Sequence, residues 1–146
     1  MFKFVVKKLR WLARIPVLPQ LFDAGLMIAT MLFDRPRLRA MEMFENAIRR
    51  KYPIQRRPHR FGGVGFFIGT TEIGHLHGNG LLDLFVGRSF RAEQVRQGGA
   101  LPHHVFPETG WNSFWLKSPA DIAQALALFE IASMYRTTGQ LISRAH

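Results

Sequence analysis

The chain has 146 residues, of which 20 are Lys or Arg, 10 are Asp or Glu and none is Cys. The length is typical of one folded domain, and a composition that is 47% hydrophobic and 21% charged excludes a disordered tail, a collagen or a coiled-coil rod. The lack of cysteine excludes disulfide bonds, thiolate zinc sites and a cysteine nucleophile. Any metal site would therefore have His and carboxylate ligands.

The positive charge is concentrated in the first part of the chain. Residues 1–60 contain 14 basic and 4 acidic side chains, whereas residues 61–146 contain 6 of each. This asymmetry predicts that the N-terminal part meets an anionic surface, either lipid headgroups or nucleic acid. We expect no nucleic acid, because no helix-turn-helix, zinc knuckle or aromatic RNA-binding strand accompanies the basic residues.

The N-terminal segment has the pattern of a membrane-interface helix. Residues 1–14 combine basic side chains with apolar residues at helical spacing and Trp11. Residues 15–33 are nearly long enough to cross a bilayer, but Pro16, Pro19 and Asp23 oppose a span. We expect residues 1–35 to associate with an anionic membrane, so that the protein is cytoplasmic and membrane-associated. A true span and a broken helical pair packed on the domain are the alternatives.

Hydrophobic periodicity and turn residues predict the elements that follow. In chain order these are a helix over 37–51, a polar connector over 52–60, strands over 61–69, 71–77 and 81–86, a short helix over 89–97, a loop over 102–109, a strand over 111–117 and a final helix opened by Ser118. The turn Gly78-Asn79-Gly80 joins the second and third strands into a hairpin.

These elements predict an α+β fold in which a small antiparallel sheet packs under helices, with a basic hydrophobic helical segment at the N-terminus. The expected organisation is a membrane-associating segment over 1–35, the α+β domain over 36–138 and a tail over 139–146.

Histidines are the most informative residues of the predicted domain. Four of the six lie between the second strand and the loop before the fourth, namely His75, His77, His103 and His104. Residues two apart on a strand share a face, so His75 and His77 point the same way. Their neighbourhood therefore decides whether the sequence encodes a site.

Three residues near His75 matter for that site. Strict alternation places Ile73 on the face of His75 and Glu72 on the opposite face. The tight turn brings Asp83 of the next strand close to His75, on a face that the sequence leaves open. A carboxylate beside an imidazole is the arrangement from which both metal sites and acid–base pairs are built.

Three interpretations of the histidines remain open. His75 and His77 can bind a divalent metal with a third ligand such as His103 or Asp83, because imidazole and carboxylate suit zinc, iron or manganese. One histidine can instead act as a general base that a carboxylate orients. In the third interpretation the histidines are surface residues, and His103 and His104 only satisfy loop carbonyls.

A resemblance to a known family bears on this choice. It is carried by Thr71-Glu72-Ile73-Gly74-His75-Leu76-His77, Leu82-Asp83-Leu84, Pro102-His103-His104, Gly110-Trp111 with Phe114, and Ser133-Met134-Tyr135. Over residues 60–136 the chain resembles the luciferase domain family, which includes the fungal luciferases and many bacterial proteins. The fungal members also have a hydrophobic, membrane-associating N-terminus, but they carry a longer His-containing turn where this chain has Gly78-Asn79-Gly80.

The resemblance implies an enzyme of the oxygenase class. Its relatives add O2 to a hydroxylated pyrone, 3-hydroxyhispidin, and the adduct loses CO2 and yields light; no cofactor is expected, with O2 as co-substrate. The implied catalytic residues are His75 or His77 as base, Asp83 or Glu72 as its partner and His104 as oxyanion donor. The implied substrate-binding residues are Phe66, Arg88, His103, Trp111 and Trp115. The alternatives are a non-luminescent small-molecule-binding domain and a metal-dependent domain with His75, His77 and His103 as ligands.

Overall fold

The computed structural model describes residues 17–98, 101–102 and 109–138. Within these ranges the chain forms an α+β fold, as predicted. Its elements are α1 (Leu18–Phe33), α2 (Arg35–Lys51), β1 (Ile54–Pro58), β2 (Val64–Ile68), β3 (Thr71–Leu76), β4 (Leu81–Phe85), α3 (Arg88–Arg96), β5 (Leu101–Pro102), β6 (Trp111–Trp115), the 3-10 helix Pro119–Asp121 and α4 (Ile122–Thr138).

The strands form one antiparallel sheet in the order β1-β2-β3-β4-β6-β5. The predicted hairpin is confirmed, since β3 pairs with β4 and the amide of Gly80 donates to the carbonyl of His77 over 2.9 Å. Gly80 has a φ of 81°, which favours glycine at this position of a tight turn. The hairpin therefore fixes His75 opposite Asp83.

Helices α2 and α4 cover one face of the sheet and form the core with it. Phe44 of α2, Phe66 of β2 and Phe129 of α4 are fully buried and meet edge to face, with ring centroids 5.8 to 6.3 Å apart. The N-cap of the 3-10 helix before α4 is Ser118, which forms a capping box with Asp121, as the sequence indicates. The two helices therefore cover one face of the sheet and leave the other face for the site.

The N-terminal helix α1 is one continuous helix of 16 residues. Pro19 lies in its first turn, where a missing backbone N–H is tolerated, so this proline does not break the helix. Asp34 separates α1 from α2 and accepts a hydrogen bond from the amide of Arg37 over 3.1 Å. Among the described residues, no helix combines the length and apolarity needed to cross a membrane. Residues 1–16, which carry most of the predicted interface helix, lie outside the described ranges.

Two segments predicted as irregular belong to the sheet. The prediction of a polar connector over 52–60 was wrong. Ile54–Pro58 forms the edge strand β1, in which Ile54 pairs with Ile68 of β2. Four of its five side chains are exposed, so the strand lacks the apolar alternation that identifies strands in sequence. The loop predicted from residue 102 was also wrong at its start, since Leu101–Pro102 pairs with β6.

Candidate active site

The candidate site lies on the face of the sheet opposite to the core. His75, Asp83 and Ser113 stand directly opposite one another on β3, β4 and β6, and residues paired in this way share a face. The other face of the sheet carries Leu84 of β4 and Phe66 of β2, which belong to the core. The sheet therefore separates a polar cluster from the apolar core by one layer of backbone.

A β-bulge in β3 adds Glu72 to this face. Phe66 pairs with Gly74 and Phe67 with Glu72, so that Ile73 is an extra residue on β3. Ile73 consequently turns into the core, where it is fully buried, and Glu72 turns towards His75. The prediction from strict alternation, which placed Ile73 with His75 and Glu72 on the opposite face, was wrong for this reason.

His75 on β3 and His77 just after it each lie between two carboxylates. His75 Nδ1 is 3.0 Å from Glu72 Oε1, and His75 Nε2 is 3.3 Å from Asp83 Oδ2. His77 Nδ1 is 3.3 Å from Asp23 Oδ1, and His77 Nε2 is 3.4 Å from Asp83 Oδ2. Asp83 is fully buried and also accepts a hydrogen bond from the hydroxyl of Ser113. One carboxylate thus joins both imidazoles.

Helix α1 supplies Asp23 to the cluster by packing against the β3–β4 turn. The Asp23 side chain accepts from the amide of Gly78 over 2.9 Å, and the Thr30 hydroxyl donates to the carbonyl of Gly78 over 2.8 Å. A Cβ atom at residue 78 would lie only 2.6 Å from the carbonyl oxygen of Asp23 and from the amide nitrogen of Met27, so glycine is required for this approach. The sequence alone indicates Asp23 only as an obstacle to a membrane span.

His59, just after β1, is the other residue that the sequence analysis missed. Its Nε2 lies 3.3 Å from Glu72 Oε1, and its ring stacks on the His75 ring with centroids 3.7 Å apart and planes 11° apart. The Gln20 side chain of α1 donates to the carbonyl of His59 over 2.5 Å. Two imidazoles therefore share the Glu72 carboxylate.

An open cavity of about 370 Å³ borders the His59–Glu72–His75 side of the cluster. Its lining residues are Pro58, His59, Arg60, Phe61, Phe67, Glu72, His75 and Trp111. Three of them are large aromatic residues, and Trp111 lies 5.2 Å from His75 between ring centroids. A pocket of this size with aromatic walls and a few polar groups suits a small, flat organic molecule.

Residues 70–132 match the family model of the luciferase domain. This segment therefore belongs to the luciferase domain family. The matched range includes Glu72, His75, His77 and Asp83, whereas Asp23 and His59 precede it. No curated protein and no solved structure matches the chain significantly. The family resemblance of the sequence is thus confirmed for the segment that carries most of the cluster.

The electrostatics of the cluster favour charged imidazoles at His75 and His77. Burial lowers the pKa of His77, but hydrogen bonds to Asp23 and Asp83 outweigh this and raise its pKa to about 9. Burial likewise opposes the charged form of His75, and the hydrogen bonds to Asp83 and Glu72 raise its pKa above the ordinary value. The negative charge of the buried carboxylates therefore attracts positive charge to the centre of the cluster.

His59 and Glu72 shift in the opposite direction. Burial lowers the pKa of His59 to about 4, and the nearby charge of His75 acts in the same direction. Burial raises the pKa of the Glu72 carboxyl, but the hydrogen bond from His75 and the electrostatic interaction with His59 together lower this pKa by more. At neutral pH the cavity therefore borders on a neutral imidazole and an ionised carboxylate.

The remaining predicted residues of the luciferase domain lie apart from the cavity or outside the described ranges. Phe66 does not line the cavity, because it is buried in the core on the opposite face of the sheet. Arg88 lines a second cavity, of about 420 Å³, which shares Trp111 with the first. Trp115 lies at the end of β6, with its ring 5.8 Å from the guanidinium carbon of Arg37. His103 and His104 lie outside the described residues.

Proposed function

We propose that this luciferase domain is an oxygenase that deprotonates a small, flat, enolic substrate of the hydroxypyrone class and lets the enolate react with O2. The observation that carries the proposal is the aromatic cavity beside the His59–Glu72–His75 cluster. The substrate supplies the electrons that reduce O2, a C–O bond forms, and a later C–C cleavage releases CO2. No external reductant is consumed, and O2 is the co-substrate.

The proton acceptor in such a reaction must reach the bound substrate. His59, Glu72 and His75 line the cavity, whereas His77 does not. Both ring nitrogens of His75 face carboxylates, Glu72 and Asp83, so this ring is already engaged. His59 Nδ1 is buried, and His59 Nε2 faces Glu72. We therefore assign proton acceptance to the Glu72 carboxylate, which lines the cavity and is held by His59 and His75.

The walls of the cavity suit the later steps of this reaction. Phe61, Phe67 and Trp111 can stack on a flat ring and exclude water from a peroxide intermediate. Arg60 also lines the cavity, with its guanidinium carbon 4.5 Å from the centre of the Phe61 ring. Its fixed positive charge can stabilise the enolate oxygen.

The test is turnover of 3-hydroxyhispidin by the purified full chain in air. We expect O2 uptake and CO2 release, and in Glu72→Gln a kcat at least about 100-fold lower, because an amide cannot accept the substrate proton. Glu130→Gln is the matched control, since the Glu130 carboxylate forms an exposed ion pair with Lys51 on α2. Photon counting on the same samples shows whether the product is formed in an excited state.

Two results would contradict the oxygenase proposal. Equal turnover in Glu72→Gln and Glu130→Gln would place the chemistry elsewhere. Binding of 3-hydroxyhispidin by the folded chain without O2 uptake would favour the alternative, a non-luminescent small-molecule-binding domain. Titration calorimetry with the same compound separates this outcome from a failure to bind.

The outer side of α1 supports a second part of the proposal, association of residues 1–35 with an anionic membrane. The polar residues Asp23 and Thr30 are buried against the β3–β4 turn. Large apolar side chains are exposed along the same segment, namely Val17, Leu21, Phe22, Ile28, Met31, Leu32 and Phe33. Five basic residues precede this surface within residues 1–14. Apolar surface beside basic residues is the combination that binds anionic lipid.

We expect the double substitution Leu32→Gln, Phe33→Gln to weaken binding to phosphatidylserine-containing vesicles at least about tenfold. These side chains are 66% and 86% exposed, and burying a Leu or Phe fully is worth about 1.5–3 kcal/mol. Substitution is preferable to deletion, because deleting residues 1–35 also removes Asp23 from the cluster. Met134→Gln, at an exposed position of α4, is the control in vesicle sedimentation. Undiminished binding of the double variant would refute the membrane role of this surface.

A further inference from the structure

The inner half of the cluster has the geometry of a metal site. His75 Nε2 and His77 Nε2 lie 3.3 and 3.4 Å from the same oxygen, Asp83 Oδ2. These separations are long for charge-assisted hydrogen bonds between an imidazolium and a carboxylate, which are typically about 2.7–2.9 Å. In a tetrahedral zinc site with bonds of about 2.0–2.1 Å, neighbouring ligand atoms lie about 3.3–3.4 Å apart. The carboxylate oxygen is therefore spaced from each histidine nitrogen as two ligands of one ion are, and one ligand atom from each of the three side chains lies within 4.8 Å of the other two.

Each of these three side chains also has the outer partner that metal ligands require. His75 Nδ1 faces Glu72 and His77 Nδ1 faces Asp23, at 3.0 and 3.3 Å. The second oxygen of Asp83 accepts from Ser113. Carboxylates on the far ring nitrogen orient ligating histidines and fix their tautomers, which leaves Nε2 for the metal.

The charge of the cluster points in the same direction. Asp83, Glu72 and Asp23 converge on two imidazoles in a region where Asp83 is fully buried and both histidines are less than 10% exposed. Buried carboxylates need compensation by paired positive charge or by a metal ion. A divalent cation supplies that charge at a single point.

We propose that His75 Nε2, His77 Nε2 and Asp83 Oδ2 bind one divalent transition-metal ion. Two imidazoles and a carboxylate without thiolate suit Zn²⁺, Fe²⁺ or Co²⁺, whereas Mg²⁺ prefers oxygen ligands and retained water. Three protein ligands leave at least one coordination position for water or another small ligand. The proposal does not rest on the oxygenase assignment, although His75 and Glu72 take part in both arrangements.

A second set of possible ligands, His59, Glu72 and His75, is less suitable. Its Glu72–His75 separation of 3.0 Å is an ordinary hydrogen-bond length. The far nitrogen of His59, Nδ1, has no hydrogen-bond partner among the described residues, so this set lacks the outer support of the first. The ion is therefore placed at the inner set.

The experiment is calorimetric titration of the chelator-stripped full chain with Zn²⁺, without substrate. We expect one ion per chain, and at least about 100-fold weaker binding in His77→Gln, because losing a ligand costs more than losing its outer partner. Asp23→Asn removes only an outer partner and should weaken binding about 10–100-fold. His59→Gln and His103→Gln are the controls and should keep the affinity of the parent chain.

Circular dichroism shows whether each variant is folded. If His77→Gln does not fold, the Zn²⁺ affinity of Asp23→Asn tests the proposal instead. Visible absorption of bound Co²⁺ in the parent chain should have the intensity of a four-coordinate site. Absence of stoichiometric Zn²⁺ binding by the parent chain would overturn the proposal. So would loss of binding in His59→Gln or His103→Gln with retention in His77→Gln, since the ligands would then be other residues.

Discussion

Asp83→Asn is expected to lower the free energy of unfolding by about 3–5 kcal/mol, the cost typical of removing one partner from a buried charge pair. The Asp83 side chain is fully buried and its Oδ2 lies 3.3 Å from His75 Nε2. Asparagine has nearly the same shape, so packing is preserved and only the negative charge is lost. His75 and His77 would then face each other with one carboxylate fewer between them.

Urea denaturation of chelator-treated protein measures this change, and the chelator separates it from any loss of metal. Asp34→Asn is the matched control. The Asp34 carboxylate caps α2 and pairs with Arg37 over 3.1 Å, but it is about one-third exposed, so we expect a loss of at most about 1 kcal/mol. An equal, small effect of both substitutions would show that Asp83 is not the charge that stabilises the cluster.

The parts of this site that could be predicted from sequence depend on local signals. The turn Gly78-Asn79-Gly80 predicts the hairpin, and the hairpin places Asp83 opposite His75. The spacing of His75 and His77 predicts that both side chains lie on the same face of the sheet. Their contacts with the same Asp83 oxygen confirm this prediction. Tight turns and strand alternation depend only on neighbours in the chain, so they can be predicted without knowledge of the rest of the fold.

Glu72 could not be placed because a one-residue bulge reverses the side on which it lies. The bulge puts Ile73 in the core beside Gly74. A Cβ atom at residue 74 would collide with the carbonyl oxygen of Asp83 and with the Leu84 side chain. Glycine is therefore needed at that step, but a glycine in a strand does not by itself indicate where the extra residue falls.

Asp23 and His59 could not be placed because their contacts are long-range. Asp23 reaches His77 across 54 positions of sequence, and it does so only because α1 packs on Gly78. His59 follows an edge strand with mostly exposed side chains, which has no apolar period to reveal it. A basic residue pattern that suits a solvated connector equally suits an edge strand, so tertiary pairing decides between them.

Phe129→Ala is expected to have an effect of similar size from the opposite face of the sheet, about 3–5 kcal/mol of lost stability. Phe129 is fully buried, and its ring lies 5.8 Å from that of Phe44 and 5.5 Å from that of Tyr52. Removing it leaves a cavity between α4 and the sheet, and it abolishes aromatic contacts worth about 0.5–1.5 kcal/mol each.

Phe129→Leu separates cavity formation from loss of the aromatic contacts. Leucine fills most of the same volume, so we expect it to cost less than half of the alanine effect. Urea denaturation of both variants measures the difference, and Zn²⁺ titration of the folded fraction should give the affinity of the parent chain, because Phe129 and the histidine cluster lie on opposite faces of the sheet. A loss below about 1 kcal/mol in Phe129→Ala would contradict the packing of α4 on the sheet, since a fully buried phenylalanine cannot be removed at so small a cost.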